Sequence, residues 1–241
     1  MRPTTLRLLT EVGVSRGIRC VDVGCGGGHV ALDIARLIGP DGRVTGIDSD
    51  PKIIELARQD VTAAAAGNVE LHAGDVRSFD GGPFDLAYAR FLFSHVSEPD
   101  AAFAHVRKLV APGGRIVIEE IDMSGSFCYP PDAAHDQFVE LYVEVVRRGG
   151  GDANLGRRMP AMALAAGLSG VRWNVFQPVF ADGPGKQMTA VTMDRIRSAA
   201  LSHGLSTDAE SGAILARLRA FAADPGTLVA LPRMVQVWGR V

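Results

Sequence analysis

Two periodicities alternate along the chain. Apolar runs at residues 17–23, 43–47, 68–73, 84–89, 115–121 and 171–176 read as strands, the first of the kind buried on both faces. Between them the spacing turns helical. Residues 29–38 set Val30, Ile34 and Ile38 on one stripe with Asp33 and Arg36 off it. Further helical stretches follow Pro51 (Ile53, Ile54, Leu56, Ala57) and cover 98–110 (Ala102, Val106, Leu109), 132–148, 158–166, 186–202 and 208–222. A short helix over 3–12 precedes the first strand, and a final strand over 233–241 alternates Val235 and Val237 against Gln236 and Trp238. Glycine and proline clusters punctuate the pattern, among them Gly39-Pro40-Asp41-Gly42, Gly81-Gly82-Pro83 and Pro112-Gly113-Gly114. Strands alternating with helices predict an α/β fold built on a parallel sheet.

The first strand runs into Asp22-Val23-Gly24-Cys25-Gly26-Gly27-Gly28, and a helix follows at once. Glycines at a strand-to-helix turn let the backbone approach a ligand closely, because no Cβ intervenes. A dinucleotide fingerprint would need its third glycine where His29 stands, so a nicotinamide dehydrogenase is disfavoured. An acid two residues before the first glycine instead resembles motif I of the class I S-adenosylmethionine-dependent methyltransferases. Leu109-Val110-Ala111-Pro112-Gly113-Gly114-Arg115-Ile116 is similar to a later element of the same family, and the likeness extends over 17–179.

That resemblance implies a Rossmann-like, seven-stranded, mostly parallel sheet in the order 3-2-1-4-5-7-6, strand seven antiparallel, with helices on both faces. It implies S-adenosyl-L-methionine as cofactor and S-adenosyl-L-homocysteine as product. Gly24, Cys25 and Gly26 would cup the methionine part, and Asp22 would orient its ammonium. Asp48, followed by Ser49, ends strand two, where an acid can accept both ribose hydroxyls; a helix cap is its other reading, which Asp50 before Pro51 fills better. Asp75 and Val76 would meet the adenine, although an aspartate there also suits a turn cap. Ala89 and Arg90, ending strand four, would flank the sulfonium. His95 falls at the beginning of the acceptor side, as a general base or as a packed histidine bonded to backbone.

Two stretches exceed the regular pattern, 124–156 after strand five and 180–228 after strand six, and both leave the sheet at carboxyl ends, where such sheets bind ligands. They are expected to form a helical lid over the acceptor, with 124–131 a loop. Asp122, Tyr129, Arg148 and Arg157 are the candidate acceptor contacts, and Phe127, Cys128, His135 and Tyr142 are further pocket candidates. The acids in Glu119-Glu120-Ile121-Asp122 would face the site rim and anchor arginines.

Composition narrows the partner. The chain has 241 residues, 47% of them hydrophobic, enough for one domain with a full core. Net charge is −2, without a basic track, which argues against nucleic acid. No apolar run approaches the roughly 20 residues of a membrane span. Cys20, Cys25 and Cys128 lack metal spacing, so no metal is expected, and a reducing cytoplasm fits them. The expected activity is methylation of a small molecule, a quinone-like compound or secondary metabolite, by a monomer or homodimer. RNA or protein methylation, and a cofactor-retaining scaffold or pericyclase, stay open as alternatives.

Overall fold

The structure is a computed structural model describing residues 2–241. Its centre is a seven-stranded sheet in the order β3-β2-β1-β4-β5-β10-β7. The strands are β1 (Arg19–Val23), β2 (Arg43–Asp48), β3 (Val69–Ala73), β4 (Phe84–Arg90), β5 (Val110–Asp122), β7 (Ser169–Phe176) and β10 (Arg233–Arg240). β10 is antiparallel to both β5 and β7, and the other neighbours pair in parallel. This is the Rossmann-like methyltransferase sheet, with the final strand inserted between two earlier ones as expected.

Helices cover both faces. Helices α1 (Arg2–Glu11), α2 (His29–Ile38) and α3 (Pro51–Ala63) lie on one face, where Leu8, Leu9, Ile34 and Ile38 pack on Cys20, Val44, Leu86 and Val117. On the other, α4 (Pro99–Lys108) and α6 (Met159–Ala165) bring Phe103, Val106, Met159 and Met162 onto Val21, Ala87, Ile116 and Val237. The α1 layer is pinned by Glu119, fully buried. Its carboxylate accepts Thr5 Oγ1 at 2.6 Å, Tyr88 Oη at 2.5 Å and Gln236 Nε2 at 2.6 Å.

Two readings from sequence need correction. The Pro112-Gly113-Gly114 turn does not precede β5 but lies inside it: Phe84 pairs with Val110 and Leu86 with Arg115, so the turn is a wide bulge in a strand already begun. The stretch 124–131 is not all loop. Its residues Phe127–Tyr129 form β6, which pairs with β9 (Leu228–Ala230), itself paired with β8 (Val179–Phe180). A three-residue strand has no periodicity to detect; only its partner, a hundred residues away, defines it.

The small sheet ties the two excursions together, as does a second core. Phe138 and Leu141 from α5 (Ala133–Arg148), Met193 from α8 (Met188–Ser202) and Leu215 and Leu218 from α9 (Asp208–Ala223) form one cluster beyond the carboxyl ends of the strands. Helix α7 (Gly183–Lys186) is a single turn before α8. Among the described residues, no helix is long and apolar enough to cross a membrane.

Candidate active site

The glycine turn is shaped by its backbone. Gly24 and Cys25 donate their N–H groups to Ile47 O at 2.8 and 3.0 Å, which fastens the turn to the end of β2. Gly24 (φ 71°) and Gly26 (φ 51°) sit in the left-handed region that favours glycine. A Cβ on Gly24 would press on Leu92 Cδ1 at 3.0 Å, whereas one on Gly26 would meet no protein atom within 4 Å. The turn is therefore clear on one side. Cys25 points elsewhere, its Sγ packing beside Gly46 and the α3 layer.

Asp22 lies in this neighbourhood with 2% exposure, and its Oδ2 is a buried oxygen without a hydrogen-bond partner. Burial drives its pKa up to about 7, against the lowering effects of Arg90 and the Ala31 N–H and with a small raising effect from Asp48. The Arg90 guanidinium stacks on the Phe91 ring, 5.6 Å from its centroid. Asp48 accepts Gly26 N–H at 2.9 Å on one oxygen and Asp50 N–H at 3.0 Å on the other. A carboxylate oxygen has more than one lone pair, so both can take further donors. Asp50, not Asp48, caps α3, accepting Lys52 N–H at 2.8 Å.

A groove of about 330 Å³ passes Gly24, Asp48, Ser49, Asp75, Val76 and His95. Five of the ten expected cofactor residues thus converge on it. Gly26 and Asp22 adjoin it through the turn, and Ala89 is buried in the core below. The Asp75 carboxylate is engaged by Arg77, at 2.5 Å from Nη2, and caps the following 3-10 turn (Val76–Ser78). An adenine amino group would meet it in competition with that ion pair.

A second cavity, of about 160 Å³, lies between the carboxyl ends of β4 and β5 and the helices α5 and α8. Phe91, Ile121, Met123, Phe138, Met188 and Met234 supply apolar walls, and no Lys, Arg, Asp or Glu lines it. Its polar atoms belong to His95, Ser126, Tyr142, Thr189 and Thr192. Ser126 Oγ donates to Ala230 O at 2.9 Å and is 3.2 Å from Nε2 of the buried His135. His95 lines both cavities. Its ring is open to the groove, yet the walls around it exclude enough water to lower its pKa below 6.5, so it is neutral at pH 7.

The chain reaches His95 through an unusual bend. Phe91 takes φ 56°, an outlier for a bulky residue costing about 1–3 kcal/mol, before the 3-10 turn Phe93–His95. The Phe91 N–H donates to Glu119 O at 3.0 Å.

The four candidate acceptor contacts do not assemble here. Asp122 is buried and serves as an anchor, paired with Arg157 and, at 2.9 Å, with Arg233. Tyr129 is 63% exposed on β6, and Arg148 pairs with Glu144 at 3.1 Å on the outer face of α5. Of the further candidates only Tyr142 lines the cavity, with His135 behind Ser126. The three methionines and two threonines of the walls carried no sequence signal, since nothing in their spacing separates a wall from a core.

The strand order and the glycine turn under a carboxylate define the class I methyltransferase fold. A family model described as a methyltransferase domain matches residues 14–150, more than half of the chain, and the chain belongs to that family. It is 30% identical over 116 residues to a demethylmenaquinone methyltransferase of Staphylococcus aureus, 47% of each protein. It spans about half the length of the curated relatives it matches. The YcgJ protein of Bacillus subtilis shares its fold, with TM-score 0.65 and 18% identity over 99% of this chain and 98% of that one. So does phosphoethanolamine N-methyltransferase 2 of Haemonchus contortus, solved with S-adenosyl-L-methionine (TM-score 0.62, 16% identity, 99% and 52% coverage).

S-adenosylmethionine is the cofactor of this domain, and the residues present fit it. Asp22 has a buried oxygen wanting a donor, as an ammonium supplies. Asp48 is fixed with lone pairs to spare for a diol. Gly26 leaves open the space a Cβ would take.

Proposed function

We propose that the chain transfers the methyl group of S-adenosylmethionine to a small, uncharged and largely apolar acceptor whose nucleophile carries an ionisable proton. One observation carries this reading: His95 stands in the wall shared by the cofactor groove and an apolar cavity without charged side chains. Drug-sized ligands occupy roughly 300–1,000 Å³, so the cavity suits something nearer a single ring.

When bound, the cofactor supplies an electrophilic methyl carbon. The chain's residues then have three tasks. Asp22 and Asp48 hold the cofactor's ends, and the apolar walls orient the acceptor and exclude water. His95, neutral at pH 7, takes the acceptor's proton at a ring nitrogen. A phenol or comparably acidic hydroxyl is the acceptor class this suits. The helices α5, α8 and α9 act as the lid over it, and the uncharged cavity disfavours RNA or an acidic peptide as acceptor.

The test is a panel of phenols, hydroquinones, amines and carboxylic acids incubated with the cofactor, following S-adenosylhomocysteine release. Phenolic turnover that falls in His95→Ala supports the reading. Tight S-adenosylhomocysteine binding with no turnover across the panel would instead mark a binding-only protein, and turnover confined to charged acceptors would refute the acceptor class.

A further inference from the structure

The turn that presents His95 is held from two sides. On one, Glu120 reaches it from β5: Oε2 accepts Ser94 N–H at 3.1 Å, and Oε1 accepts Ser94 Oγ at 2.8 Å and Ile121 N–H at 3.2 Å. On the other, Asp152 N–H donates to Ser94 O at 3.0 Å, and Gly151 lies so close that a Cβ there would run into the same oxygen. Ser94 is fully buried between them.

Glu120 has 0% exposure and forms no salt bridge with any described residue. A buried carboxylate without a cation is costly, and an apolar side chain of similar volume would fill its place at lower cost. The hydrogen bonds it accepts outside its own strand come from the turn ending in His95. The expectation that this acid anchors an arginine therefore fails, and its contacts point to a different purpose.

We propose that Glu120 is a positioning residue of the active site: its carboxylate sets the Phe93–His95 turn and thereby fixes the imidazole in the wall between groove and cavity. The proposal rests on the reading of His95 as the group between cofactor and acceptor. Glu120 touches neither ligand; it acts through Ser94. Burial pushes the Glu120 carboxyl up to about 7, so it titrates within the same pH range as the imidazole; at any pH its oxygens are the acceptors for two groups that can only donate, the Ser94 and Ile121 N–H. A glutamine would set its own amide donor against one of them.

The experiment follows the His95 ring resonance by NMR across pH 5–8 in the full chain, in wild type, Glu120→Gln, Ser94→Ala and Gly151→Ala, with melting temperatures alongside. Gly151→Ala pushes the same turn from the opposite side. Thr5→Val, which loosens the neighbouring Glu119 network and not the turn, is the control. We expect the His95 midpoint to rise toward 6.5 in Glu120→Gln and Gly151→Ala, and less in Ser94→Ala. In Thr5→Val the melting temperature should fall while the midpoint stays. A lower melting temperature in Glu120→Gln with an unmoved midpoint would overturn the proposal and leave Glu120 a packing residue. Should Glu120→Gln not fold, unmoved midpoints in both Ser94→Ala and Gly151→Ala overturn it equally. Because the readout is a titration and not turnover, undiminished methyl transfer by His95→Ala would defeat the base assignment while leaving this result to stand or fall alone.

Discussion

Asp22→Asn should stabilise the free protein at alkaline pH and weaken its cofactor. The carboxyl titrates at about 7 in the folded chain against 3.8 ordinarily, chiefly through burial. The folded state therefore holds an extra proton between those values. Its contribution to stability is complete below 3.8 and is lost as pH rises through about 7. Three pH units at about 1.4 kcal/mol each give roughly 4 kcal/mol as the cost of the buried anion at pH 8. Asparagine escapes that cost but leaves its amide nitrogen where Oδ2 lacks a partner, at about 1–3 kcal/mol. The net gain is about 1–3 kcal/mol, or roughly 2–10 °C in melting temperature for a chain of this size. At pH 5 the unfolded carboxyl is ionised but the folded one is protonated, so the wild-type cost is only about 1.7 kcal/mol; the unpaired asparagine amide offsets it, and the gain should vanish. Binding moves oppositely. A charge-assisted bond to the cofactor's ammonium is worth about 1.5–3 kcal/mol, so the S-adenosylhomocysteine dissociation constant should rise about 10- to 150-fold in the variant at pH 8. Wild-type affinity should fall about tenfold per pH unit below about 7, as the carboxylate takes up its proton. Thermal melts with and without S-adenosylhomocysteine at pH 5, 6.5 and 8, with calorimetric titration, measure all of this. A variant no more stable than wild type at pH 8 would refute the uncompensated burial, and equal affinity would remove Asp22 from the cofactor.

Three other outcomes are expected. His95→Ala should lower turnover about 10²–10⁴-fold with cofactor affinity little changed, and the wild-type rate should climb through a midpoint below 6.5; stopped-assay pH profiles check both. Gly26→Ala should cost about 1–2 kcal/mol through its left-handed backbone, and its fold should survive because the new Cβ meets no protein atom. Its S-adenosylhomocysteine affinity, by calorimetry, should drop by tenfold or more. Tyr88→Phe should cost about 1–3 kcal/mol by urea titration, since it leaves Glu119 short of a donor inside the sheet, while the pH dependence of cofactor binding stays as in wild type.

The groove of the candidate site was legible because its parts are local. A carboxylate, a glycine turn and acids at successive strand ends are fixed by backbone geometry within a few residues, so Asp22, Gly24, Asp48 and Asp75 could be named from their places in the chain. The apolar cavity is different. Its wall joins Phe91, Met123, Phe138, Met188 and Met234, five residues on separate parts of the chain that share no spacing. Residues nominated by charge or polarity, Arg148 and Tyr129, instead face solvent, where such side chains cost least. The bulge in β5 hid for a related reason: proline and glycine mark a turn equally well whether it precedes a strand or interrupts one.

The run Glu119-Glu120-Ile121-Asp122 shows how far reading by residue type can go. As a string it is an acidic cluster, and one role was expected for all of it. In a strand, successive side chains leave opposite faces of the sheet. Glu119 therefore turns to the α1 side and meets Thr5, Tyr88 and Gln236, while Glu120 turns to the other side and meets Ser94. Asp122, two residues on, shares the face of Glu120 but is paired instead with Arg157 and Arg233. One acid fastens a helix layer, one accepts hydrogen bonds from the Phe93–His95 turn and one anchors two arginines. If that division is correct, neutralising Glu119 should lower stability without moving the His95 titration, and neutralising Glu120 should move the titration. Neutralising Asp122 should loosen the segment around Arg157, raising its protease sensitivity ahead of global unfolding. Identical behaviour of the three variants would mean that alternation across the strand does not govern their roles.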